Sequence, residues 1–137
     1  MKKKFLIVSL LIIIILAAVF LIKPVFGSKP FQNLSLSEIS KVSVELIPPD
    51  VTLELNAGQI EKLVPILQQV VIYKQDHSYA ESCGQAVIFT ITKTDGSLST
   101  VQAYNPFLVI DGVGYKTKYE PCEALNQLGN QILSGEA

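Results

Sequence analysis

Hydrophobic positions are distributed in three different patterns along this chain. Residues 5–22 are apolar without interruption, with one serine and no charge, and Lys2, Lys3 and Lys4 precede them while Lys23 and Pro24 end the run. A helix of 18 residues rises roughly 27 Å, close to the thickness of a thin hydrocarbon core. Cleaved signal peptides have shorter apolar cores, about 7–15 residues, so this length predicts a retained transmembrane anchor. The alternative is cleavage after Gly27, with Val25 and Gly27 as the small pair, but no Ala-x-Ala pattern is present. The leading lysines predict a cytoplasmic N-terminus and an extracytoplasmic remainder, with an asymmetry made modest by Lys23 and Lys29. No cysteine stands directly after the run as a lipid-acylation site, so attachment rests on contact between residues 5–22 and the lipid bilayer.

The second pattern is alternation. Val42, Val44 and Leu46 alternate with Ser43, Glu45 and Ile47, and Val51, Leu53 and Leu55 alternate with Thr52 and Glu54. Each is a strand period, and Pro48-Pro49-Asp50 between them predicts a hairpin. Residues 86–92, AVIFTIT, are β-branched and aromatic and put Val87, Phe89 and Ile91 on one face. Asp95-Gly96 then predicts a tight two-residue turn with positive φ at both positions, returning the chain as a strand over 98–104. Residues 70–73, 107–110 and 115–118 read as further short strands, with Asn105-Pro106 breaking the strand before the second of these.

The third pattern is helical. Ile60, Leu63, Val64 and Leu67 fall at i, i+3, i+4 and i+7, after Asn56 and Gln59 in capping-box positions. Pro65 within that stretch should kink or shorten the helix. Cys122, Leu125, Leu128 and Ile132 share one face of a closing helix, with Pro121 in its first turn. The element order β-β-α-β-β-β-β-β-α predicts an α+β fold, a two-layer sandwich in which both helices cover one face of an antiparallel meander. The expected organisation is an anchor over 1–23, a Pro/Gly/Ser-rich linker over 24–37 and one domain over 38–137.

Charge changes the picture in one respect. The whole chain carries −1, yet from Pro30 onward six lysines face twelve acids, a net −6. Such a domain should repel nucleic acid, whose binding rests on basic groups. All eleven basic residues are lysines, so no bidentate guanidinium clamp for phosphate or carboxylate can form.

Candidate chemistry is sparse. Cys83 and Cys122 are the two cysteines, and an even count in an oxidising compartment predicts a disulfide tying the last helix to the sheet. Closing that loop would contribute about 4 kcal/mol in the chain-entropy picture. The polar stretch 74–85 holds the single histidine, and Asp76, His77, Tyr79 and Glu81 form a surface cluster there. Its spacings are irregular and do not make a zinc pattern. The phosphate-loop, zinc-protease and Gly-x-Ser-x-Gly signatures are absent, so neither a metal nor a cofactor is expected. Of the tyrosines, Tyr73, Tyr79, Tyr104, Tyr115 and Tyr119, an exposed set could stack on sugar or peptide.

The segments ISKVSVEL, LQQVVIYK, GQAVIFTITKTDGS, IDGVGYK and CEALNQLGNQIL together resemble small membrane-anchored extracytoplasmic proteins of low-GC Gram-positive bacteria that have no assigned activity. The eleven lysines without an arginine suit that origin. The resemblance implies location and fold class, and its motifs are turn and core patterns. The expected function is a membrane-tethered binding domain without catalytic activity, facing an envelope protein or peptide. A small thiol- or His-dependent envelope enzyme centred on His77 and Cys83 is the alternative.

Overall fold

The apolar run becomes helix α1 (Lys2–Phe26) in the computed structural model, which describes residues 1–137 apart from the side chains of residues 23–25. The expected end of the span and one member of the expected cleavage pair fall on residues 23–25, outside the described side chains. The helix is long and apolar enough to cross a membrane, and nothing else in the protein buries its apolar window.

The alternating segments become strands of one sheet. Strand β1 (Ile39–Ile47) pairs with β2 (Val51–Glu54) as the expected hairpin, and on its other side with β4 (Ala86–Lys93). The chain then meanders through β5 (Leu98–Tyr104), β6 (Phe107–Ile110) and β7 (Val113–Thr117), every pair antiparallel. Residues directly opposite in register share a face of the sheet. Leu46 lies opposite Val87 and Val87 opposite Ala103, while Val44 lies opposite Phe89 and Phe89 opposite Val101. All of these are fully buried. They are covered by Leu63 and Leu67 of α2 (Ala57–Gln69) and by Cys122, Leu125, Leu128 and Ile132 of α3 (Tyr119–Ser134). The result is the α+β arrangement: an antiparallel sheet with two helices packed on one face.

Four details differ from the sequence reading, each for a physical reason. The short strand β3 (Ile72–Gln75) stands at the far edge, because α2 carries the chain across the buried face and β3 pairs with β7, giving the order β2-β1-β4-β5-β6-β7-β3. Pro65 neither ends nor divides α2, which runs through it with the proline ring exposed to solvent. The turn after β4 is longer than two residues. Gly96 N–H donates to the Lys93 carbonyl at 3.0 Å, and only Gly96 has positive φ (87°); Asp95 instead accepts from the Ser97 N–H and hydroxyl at 2.9 and 2.6 Å.

Finally, most of the expected linker is part of the domain. Leu34 is buried in the core, Phe31 packs against it, and the Leu34 carbonyl accepts from Gln68 at 2.7 Å. Ser28 and Ile72 exchange two backbone hydrogen bonds, 2.8 and 2.9 Å, which add a bridge outside β3.

Candidate functional site

The polar segment between β3 and β4 does not gather its side chains around one point. Asp76 opens it with a local turn, its Oδ1 accepting from the Ser78 N–H at 2.9 Å and the Ser78 hydroxyl at 2.6 Å. Those two bonds, with a weaker contribution from Lys116, hold its carboxyl below the usual carboxylate range. Residues 78–81 form one 3₁₀ turn, which points His77 and Glu81 into solvent. Tyr79 is half-buried and serves as the peg of this segment. Its ring lies over Gly114 of β7, where a Cβ would come within 2.6 Å of Cδ1, and the Asp76 N–H donates to the Gly114 carbonyl at 2.8 Å. The only ring near His77 among the described residues is Tyr79, with centroids 6.3 Å apart. No three His, Cys, Asp or Glu side chains among the described residues converge in a way that could hold a metal ion.

Both cysteines are free thiols, so the expected bridge is not formed. The helix stripe does turn Cys122 inward, as its spacing implied. There the thiol is fully buried and lies 3.4 Å from the Phe107 carbonyl, in reach to donate a hydrogen bond. Burial pushes its pKa up to about 12. Cys83 is exposed on the strand lead-in instead, so the two thiols stand in different environments.

Cys83 does line a concavity. A groove of about 330 Å³ runs between the Cys83–Gln85 lead-in, the corner from β5 to β6 at Tyr104 and Asn105, and one face of α3 at Glu123, Asn126 and Asn130. His77 is not among the lining residues, so Cys83 has no histidine beside it there.

The groove is built from amides. Asn130 Nδ2 donates to Gln85 Oε1 at 2.8 Å, tying α3 to the start of β4. Gln85 in turn donates from Nε2 to the Pro48 carbonyl at 2.9 Å. The Tyr104 hydroxyl donates to the Ser82 carbonyl at 2.7 Å and fixes the rim. Asn105 Nδ2 donates to Glu123 Oε2 at 2.8 Å. A carboxylate only accepts, so it dictates which end of the amide faces it and turns Asn105 Oδ1 the other way. That oxygen is buried and has no partner, the one such side-chain atom among the described residues. A buried acceptor without a donor costs about 1–3 kcal/mol.

Of the residues on this groove the sequence reading named Cys83 and, among the tyrosines, Tyr104, and missed the rest. Asn105 was legible only as a strand breaker before Pro106. Glu123, Asn126 and Asn130 stand at i, i+3 and i+7, a polar stripe beside the apolar one, and that spacing was the available signal. Of the five tyrosines, Tyr73 and Tyr119 are exposed, whereas Tyr79, Tyr104 and Tyr115 are half-buried and support the fold. Set against protein-family models, curated proteins and solved structures, the chain matches none.

Proposed function

We propose that this chain is a membrane-tethered, extracytoplasmic binding domain, held by α1 with its N-terminus in the cytoplasm. Its ligand is a segment of an envelope protein or peptide that presents hydrogen-bond donors to the groove between β4, β5 and α3. The observation that carries this reading is a groove lined by the amides of Gln85, Asn105, Asn126 and Asn130 around the Glu123 carboxylate. The Glu123 carboxylate, the one charged group lining the groove among the described residues, favours an ammonium, guanidinium or amide N–H. The surplus of acids over the domain supports the same preference, since it raises the local concentration of cations. An enzyme centred on His77 and Cys83 lacks support from this geometry, because His77 does not line the groove and Glu123 is the one side chain lining it that could act as a base.

The test is capture from solubilised envelope with the full chain as bait, read by mass spectrometry. Wild type should retain a partner that the Asn105→Ala/Glu123→Gln variant releases. Identical retention by both baits would remove the groove from the account.

A further inference from the structure

The edge of the sheet at which α1 arrives differs in composition from the rest of the domain. The 18 apolar residues span roughly 27 Å, and the helix continues for about one further turn to Phe26. Gly27 then takes positive φ (75°) and lies so close to β3 that a Cβ there would meet the Tyr73 ring at 2.9 Å. Ser28 bonds Ile72 directly. Six residues beyond the apolar run rise about 9 Å if helical, comparable with a headgroup layer, so β3 begins at the level of the lipid headgroups. There is no slack between anchor and sheet.

Three exposed aromatic rings stand around this exit: Phe26, Tyr73 and Tyr119, 75, 37 and 60 % exposed. Tyr119 is held there because the Lys118 N–H donates to the Val71 carbonyl at 3.0 Å. Lys29, Lys74 and Lys118 are exposed beside them, and the ion pairs among the described residues involve Lys41 and Lys116 instead. Lys116 is paired with Asp76, and Glu120 is the other acid in this region. Along residues 26–29, 70–76 and 115–120, four lysines face two acids, whereas elsewhere after Pro30 three lysines face ten. Aromatic rings with an apolar body and polar tip, together with long basic side chains, are the chemistry of a bilayer interface.

We infer that the β3/β7 edge is a membrane-contact surface. It rests on anionic phospholipid headgroups through Lys29, Lys74 and Lys118 while Phe26, Tyr73 and Tyr119 enter the interfacial layer. The domain therefore lies against the leaflet on one edge and holds β2 away from it. Six strand spacings of about 4.8 Å separate those edges, roughly 29 Å, which exceeds the Debye length of about 10 Å at 0.1 M salt. This inference rests on α1 being a membrane anchor.

The chain contains no tryptophan, so one introduced indole is a clean reporter. The full chain carrying Tyr119→Trp, and separately Thr52→Trp on β2, would be reconstituted in phosphatidylglycerol and in phosphatidylcholine vesicles with brominated acyl chains. Co-flotation of protein with vesicles tests the anchor. Emission quenching tests the contact. The expected result is co-flotation, with the indole at 119 quenched and blue-shifted in phosphatidylglycerol and the indole at 52 neither. Lys29→Glu/Lys74→Glu/Lys118→Glu in the Tyr119→Trp background should co-float equally and lose that quenching. Co-flotation with an unquenched indole at 119, or quenching indifferent to the three charge reversals, overturns the contact surface and leaves the anchor standing. Failure to co-float overturns the anchor and the contact with it.

Discussion

Asn105 and Glu123 show how one side chain can fix the orientation of its neighbour. Glu123 takes the amide nitrogen and leaves the oxygen unsatisfied in a buried position. Replacing Glu123 by Gln removes the charge and frees the Asn105 amide to turn over. A charge-assisted contact contributes about 1.5–3 kcal/mol, so affinity for a cationic ligand should fall by at least tenfold, as titration calorimetry on the identified partner would measure. The two thiols make a second residue-scale case. Folded protein should alkylate at Cys83 and leave Cys122 unreacted until unfolded; equal labelling of both, read by mass, would contradict the burial of Cys122. Cys122 also sets a pH dependence. Its folded pKa, about 12, lies above the ordinary 9.0. Its contribution to stability is therefore complete below pH 9 and declines as the unfolded thiol ionises, by about 1.4 kcal/mol per pH unit, until the folded pKa is reached. Comparing unfolding midpoints of wild type and Cys122→Ala from pH 8 to 11 isolates this slope, because lysines and tyrosines titrate in both.

At the scale of elements, local signals were largely readable and long-range ones were not. Asn56 and Gln59 form the reciprocal cap their spacing implied, both bonds at 2.9 Å. Replacing Asn56 by Ala should cost about 1 kcal/mol, lowering the melting temperature by a few degrees. The inward face of β4 followed from period two alone. The turn at Asp95 differs in type from the expected one because Asp-Gly fits two different turns. The choice is made by Ser97, whose N–H and hydroxyl hold the Asp95 carboxylate and draw it below its usual range. Gly96 still needs its positive φ, and a side chain there meets nothing within 4 Å. Gly96→Val should therefore cost on the order of 1–2 kcal/mol through backbone strain alone, visible as a lower denaturation midpoint. The position of β3 was illegible for another reason: a four-residue apolar run at 70–73 states that a strand exists, and only the crossing of α2 decides its neighbour. The groove is of that kind too, since its residues come from separate segments that only the folded sheet and α3 bring together.

At the scale of the whole molecule, the apolar run and the −6 domain are opposite demands placed on one chain. Their boundary is sharp in sequence but tied in structure by the Ser28–Ile72 bridge and by Leu34 in the core. Residues 28–137 retain both features and should fold alone as a soluble domain, with dispersed amide resonances at neutral pH. A shorter chain beginning at residue 38 would lose Leu34 and Phe31 and should be markedly less stable. The cysteine count suggested a staple that this domain does without, because its sheet and two helices already enclose a continuous core. What a count of residues cannot carry is which polar side chains the fold gathers into one groove, and the functional reading depends on that gathering. The most direct measurement is an amide-resonance titration of the full chain in detergent micelles with capped lysine, arginine and glutamate. The account predicts shifts confined to residues 83–85, 104–105 and 123–130 with the two cations, abolished by Glu123→Gln. Shifts elsewhere, equal shifts with glutamate, or none at all would contradict it.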